Sequence, residues 1–263
     1  MSINKGYFRE DEMIHFLNNQ KVSNLNKSQH ELLRVLFGVV EPDEIIKCDY
    51  AIEYTKPDFV ITYKEKNKYV SMKSGKSEVL HSEMISTLIP FLRSIGVSEN
   101  TLRTILLYHF GDGTVNGTGK ERYSIEKLNF WLADRIKQAN KELNSNEEII
   151  NKFVDRIIFQ GVKNDVPAAD CIYHGNFEYG IAVNKKQILK YIKKKYVTWA
   201  FYDRLHIGPL FLRPHARYIG KEIKNEIRHM KMDVYWPKLS ADLAYIDEHF
   251  DCYTPLRHRT YDE

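Results

Sequence analysis

Apolar and polar positions alternate in two short stretches, Phe59-Val60-Ile61-Thr62-Tyr63 and Tyr69-Val70-Ser71-Met72-Lys73. Both are rich in β-branched and aromatic residues and predict strands. The polar run Lys64-Glu65-Lys66-Asn67-Lys68 between them predicts the turn of a hairpin. Upstream, residues 10–18 allow a short helix. Residues 28–37 predict another, with Leu32, Leu33 and Leu36 on one face, Ser28 and Glu31 at capping-box spacing, and Gly38 as the stop. A strand is expected within residues 44–54. Residues 78–95 are apolar on several sides, which predicts a helix packed on a sheet, kinked or divided at Pro90. Residues 101–110 read as a buried strand.

A glycine-rich loop follows over residues 111–123. Helices are then expected over 124–143 and 146–159, with Asn144-Ser145 between them. From Ala168 the pattern changes to short strands at 171–173, 179–183, 209–213 and 230–236, with helices at 185–195 and 240–249. This order predicts an α/β protein with a mixed sheet flanked by helices and an α+β C-terminal extension. The expected division is a core over 1–164 and an extension over 165–263.

At 263 residues the chain can bury a full core. No apolar run approaches the ~20 residues that span a bilayer, and no apolar stretch follows the N-terminal Met-Ser-Ile-Asn-Lys-Gly, so a cytoplasmic location and no membrane partner are expected. Cys48, Cys171 and Cys252 lie far apart, which argues against a zinc site or a disulfide framework. Net charge is only +4, but it is unevenly spread: residues 185–231 hold 13 Lys/Arg against Asp203, Glu222 and Glu226. Such a basic segment on an otherwise acidic chain suits a polyanionic partner. Within and beside it, Arg213, His215 and Arg217 cluster next to Tyr218, and Arg228 and Lys231 extend the set. Arginine with aromatic residues suits phosphate and base-edge contacts.

The hairpin carries the chemistry. Asp58 stands where its first strand starts and Lys73 where its second ends, and antiparallel return brings those ends together. An aspartate after proline is ordinarily a turn residue, and a strand-end lysine ordinarily protects an edge. Here the aspartate opens a strand, where it is unfavourable. A carboxylate beside an ammonium suits a divalent cation and a water poised to attack a phosphodiester.

Pro57-Asp58, about a dozen residues and Ser71-Met72-Lys73 resemble the PD-(D/E)xK nuclease superfamily over roughly residues 28–110. The resemblance implies a restriction-endonuclease-like fold. It also implies a Mg²⁺- or Mn²⁺-dependent endonuclease acting on DNA, most simply double-stranded, as a homodimer, in restriction or phage defence. Asp58 and the Met72 carbonyl would bind the metal, and Lys73 would act on the attacking water.

The chain departs from the family in having Ser71 where an acid is usual. Relatives with Ser-x-Lys supply that acid from the next helix, which here points to Glu83 in preference to Glu78. Glu31 is a further candidate, as a helix glutamate near the metal, although its capping-box spacing explains it structurally. Asp112 in the glycine-rich loop is a weaker one. Ser74-Gly75-Lys76-Ser77 lacks the first glycine of a P-loop. The competing reading is an inactive nuclease fold that binds nucleic acid or another protein.

Overall fold

The computed structural model describes residues 5–53, 55–75, 78–196, 204–215 and 230–250. In chain order the elements are α1 (Lys5–Leu17), β1 (Gln20–Lys21), α2 (Lys27–Phe37), β2 (Ile45–Tyr50), β3 (Phe59–Tyr63) and β4 (Lys66–Lys73). Then come β5 (Val79–Met84), α3 (Ile85–Ser94), α4 (Glu99–Phe110), α5 (Ile125–Ser145) and α6 (Glu147–Val154), which runs into a π-helical turn at Asp155–Gln160. The chain closes with β6 (Cys171–Gly175), β7 (Gly180–Asn184), α7 (Lys185–Tyr196), β8 (His206–Ile207), β9 (Leu210–Pro214), β10 (Lys231–Tyr235) and α8 (Leu239–His249).

Two units result, and they do not follow the expected division at residue 164. One comprises residues 1–75, 166–191 and 240–263, the other residues 76–165 and 192–239. The segment after 165 is not a free-standing extension, because β6 pairs in parallel with β4 and completes the first sheet. The physical tie is Asp170, which accepts the Tyr69 N–H at 2.8 Å and the Lys68 ammonium at 2.6 Å.

The first unit has a mixed six-stranded sheet in the order β1-β2-β3-β4-β6-β7. All neighbours are antiparallel except β4 and β6. Period-two alternation turns Phe59, Ile61, Val70, Met72, Cys171 and Tyr173 toward one core, which they share with Met13 and Leu17 of α1 and with Leu32 and Leu33 of α2. The hairpin turn is tighter than expected. Lys64 and Glu65 alone form it, with φ of 46° and 64°, as a type I′ turn demands, and β4 starts at Lys66. The capping box of α2 is Asn26 with Gln29, not Ser28 with Glu31. The helix ends as expected at Gly38, φ 82°.

The second unit has a four-stranded antiparallel sheet, β5-β10-β9-β8, with α3 to α6. Two expectations fail here. Residues 79–84 form a strand, not the start of a helix, because β5 pairs along its length with β10. Residues 101–110 form a helix, not a strand: Ser98 accepts the Thr101 N–H as N-cap, and Gly111 stops the helix in the left-handed region at φ 62°. The buried Arg122 guanidinium then donates to the carbonyls of Tyr108, His109 and Phe110, satisfying that helix end. A continuous apolar run fits a buried helix as well as a buried strand, and here the caps decide. The sheet edge at β8 is closed by α5. Asn140 and Asn144, one turn apart, bond the main chain of Arg204, His206 and Gly208 as a neighbouring strand would. Among the described residues no helix is long and apolar enough to cross a membrane.

Candidate functional site

Asp58 closes the β3–β4 ladder. Its N–H donates to the Val70 carbonyl at 2.8 Å, and its own carbonyl accepts the Ala51 N–H at 3.2 Å. Past Val70, β4 continues to Lys73 with no residue of β3 opposite. The Asp58 side chain occupies that gap: Oδ2 accepts the Met72 N–H at 2.5 Å and the Ser71 hydroxyl at 3.4 Å. Amide and carbonyl of one residue leave an antiparallel strand on the same edge, and residues two apart share an edge. The Met72 carbonyl therefore points to the side on which Val70 meets Asp58.

The faces follow from the same alternation. Val70 and Met72 enter the core, so Ser71 and Lys73 share the opposite face with the Asp58 carboxylate. On the neighbouring strand Cys171 and Tyr173 enter the core, which puts His174 on the Lys73 face, in direct register with it. Burial lowers the His174 pKa from its usual value, opposed by a hydrogen bond with the main chain of Gly75. Gly75 itself has φ 76°, and a Cβ there would stand 3.4 Å from the Arg9 guanidinium.

Two further charges converge on Asp58 and Lys73. Glu10 of α1 is half-buried, and its carboxyl is raised above the usual value by that burial, then by the Asp58 charge, with Lys73 opposing. Lys56, beside Pro57, has its ammonium pulled well below the usual value by burial and by Lys73, with Asp58 opposing. Two acids and two amines thus share one region of low dielectric. Asp58, Glu10 and the Met72 carbonyl are hard oxygen donors of the kind magnesium takes. Among the described residues no three His, Cys, Asp or Glu side chains form a ready-made metal cluster, so main-chain oxygen and water would complete any coordination.

The other expected site residues have partners of their own. Glu31 on α2 pairs with Arg34 at 2.7 Å. Glu83 belongs to β5 in the second unit, not to a helix, and its charge is balanced by the Arg156 guanidinium at 2.6 and 3.1 Å and by His81 at 3.1 Å. Burial opposes its ionisation, but the His81 and Arg156 hydrogen bonds and the Arg156 charge win, lowering its pKa to about 2. Arg156 and His81 thus offset the cost of burying Glu83. Asp112 accepts from the Thr114 N–H and hydroxyl and from the Gly119 N–H within its loop.

Arg213, His215 and Lys231 lie together in the second unit around Asp233, whereas Arg217 and Arg228 lie outside the described residues. Sequence reasoning missed Glu10, Lys56 and His174. The signals were there: Glu10 stands one helical turn before the core residues Met13 and Ile14, Lys56 directly precedes the Pro-Asp pair, and His174 alternates with Cys171 and Tyr173.

Compared with known proteins, the chain matches no family model, no curated protein and no solved structure at a significant level.

Proposed function

We propose that the first unit is a metal-dependent deoxyribonuclease of the PD-(D/E)xK type in which Glu10, from the N-terminal helix, supplies the acid that Ser71 lacks. The observation that carries this reading is the Asp58 carboxylate bonded to the Met72 N–H at 2.5 Å at the end of β4, with Lys73 on the same face and Glu10 in the same electrostatic field. Asp58, Glu10 and the Met72 carbonyl would hold Mg²⁺ or Mn²⁺. The raised carboxyl of Glu10 supports this, since a cation would reverse the repulsion that Asp58 exerts on it. When bound, the metal would supply Lewis acidity at the scissile phosphate and a more acidic water.

The chain's own residues do the rest. Ser71 donates to Asp58 and fixes the carboxylate's orientation. Lys73 orients the attacking water and stabilises the charge that grows on the phosphoryl oxygens. His174, registered with Lys73, restricts water at its flank. The reading extends to duplex DNA as substrate, to a homodimer that cuts both strands, and to a role in restriction or phage defence, the last by analogy alone.

The test incubates the protein with plasmid and with single-stranded oligonucleotides, in Mg²⁺, Mn²⁺ or EDTA, beside Lys73→Ala. Metal-dependent cleavage that disappears in EDTA and in the folded variant supports the reading. Cleavage by Lys73→Ala at the wild-type rate, or no cleavage with either metal, overturns it. Ser71 favours one other reading, a fold that binds nucleic acid without cutting it. That reading expects DNA affinity in EDTA and no product under any condition.

A further inference from the structure

The sheet of the second unit carries an acid–histidine–arginine group on each face, and the two differ in access. Ser82, Asp233 and Arg213 are register partners across β5, β10 and β9, so their side chains share one face. Glu83 pairs with Met232 at the next position and so belongs to the other face. Around Glu83 the cationic partners are closed in, Arg156 with 11% and His81 with 12% of the side chain exposed.

Around Asp233 they are open. Asp233 is buried and accepts from the Ser82 hydroxyl at 2.9 Å, from His215 Nδ1 at 2.7 Å and from Arg213 Nη2 at 3.4 Å. Arg213 and His215 nonetheless keep 30% and 39% of their side chains exposed. Lys231 lies two residues before Asp233 on the same face, and its carbonyl accepts the His215 N–H at 2.9 Å. At the other end Arg204 donates to the Tyr235 hydroxyl at 3.3 Å, and Arg213 lies over the Tyr235 ring at 4.8 Å.

We infer that this face is a phosphate track: Arg204, Arg213, His215 and Lys231 contact successive phosphates of a nucleic-acid backbone, with Asp233 and Tyr235 fixing the arginine and histidine from beneath. Among the described residues of this face one buried acid faces three permanent positive charges, those of Arg204, Arg213 and Lys231. A buried acid that spends its oxygens on Ser82, His215 and Arg213 sets where their remaining donors aim, which is how an arginine is preorganised for phosphate. The donors around Glu83, by contrast, are closed to solvent and can reach no ligand. The identity of the strand as substrate rests on the nuclease reading, whereas the phosphate chemistry of the face does not.

The experiment measures binding of a short DNA duplex in EDTA, where cleavage plays no part, across a range of salt concentrations. The variants are Arg213→Ala, Lys231→Ala and their combination, with Lys152→Ala, an ion-paired surface lysine of α6, as the charge-matched control. Each single variant is expected to weaken binding and to flatten the slope of log affinity against log salt by about one unit, the pair by about two. Lys152→Ala should leave the slope unchanged. Wild-type slopes in the pair, or an equal effect of the control, overturn the inference. A parallel titration with inorganic phosphate separates the sources. Phosphate affinity lost in the same variants, without duplex affinity, would reassign the face to a small phosphorylated ligand and overturn the nucleic-acid track. Because Lys73 is untouched, these outcomes are distinct from failure of the cleavage site.

Discussion

Lys73 and His174 are register partners across the parallel β4–β6 pair, on the sheet face opposite the core. One is the last residue of its strand, and the other is held by a hydrogen bond with the Gly75 main chain. The pairing separates their roles in cleavage. Lys73→Ala should lower single-turnover cleavage by about 10² to 10³, the scale of losing one preorganised stabilising donor. Because Lys73 lies outside the core, circular dichroism and the melting temperature should stay close to wild type. His174→Gln should cost less, and because burial disfavours a charge on the ring it should leave the salt dependence of DNA binding unchanged. An effect of His174→Gln as large as that of Lys73→Ala would give the histidine the leading part instead.

Glu10 gives a prediction of opposite sign for stability and activity. Its folded pKa is raised, so its contribution to stability is present below the usual carboxylate value and is lost as pH rises through the folded value. Glu10→Gln should therefore raise the melting temperature in EDTA at pH 7 and flatten its decline as pH rises above the usual carboxylate value. The same change should raise the Mg²⁺ needed for half-maximal cleavage by about 10- to 100-fold. A variant that melts lower in EDTA, with unaltered metal demand, would remove Glu10 from the site.

The Glu83–Arg156 pair should behave as structure only. The Glu83 pKa is lowered to about 2, so its stabilisation is present above the unfolded carboxylate value and is lost as pH falls from there through about 2. The linkage corresponds to roughly 3 kcal/mol. Glu83→Gln should lower the urea midpoint at pH 7 and lose its difference from wild type near pH 2. Arg156→Met removes the permanent charge that pairs the buried carboxylate, leaving it the His81 hydrogen bond, and should cost about 3 kcal/mol. Cleavage per folded molecule should not change in Glu83→Gln. Loss of cleavage without loss of fold would return Glu83 to the catalytic set.

Asn144→Ala should expose the main chain of β8. It removes the partner of the Gly208 N–H at 2.6 Å and of the His206 carbonyl at 3.0 Å, both buried. A cost of about 1–3 kcal/mol is expected, with faster amide exchange at Gly208 as the local readout. Unchanged protection at Gly208 would mean that the edge is satisfied without α5.

Much of the fold was legible in the sequence where a pattern is local. The β3–β4 hairpin, the stop of α2 at Gly38 and the start of α5 after Ser124 all follow from alternation and caps. Residues 79–84 and 101–110 depart from the sequence expectation because short apolar runs carry no decisive period. In the first case pairing with β10, some 150 positions away in the chain, makes the strand. In the second, Ser98 and Gly111 were signals at hand that outweigh composition.

The candidate site divides in the same way. The sequence by itself determined that Asp58 and Lys73 would share one face at the end of one hairpin, because antiparallel return is dictated by a short turn and by the alternation of the five residues that pair on either side of it. It also determined which residues carry the positive charge of the C-terminal region. Only the tertiary structure decided that Glu10 joins Asp58, that His174 stands beside Lys73, that Glu83 is neutralised by Arg156 and that Asp233 underlies Arg213 and His215. Each of those partnerships spans a chain separation over which local preference carries no information, and each is set by strand register and burial, which require a buried charge to find its counterpart wherever the fold brings one.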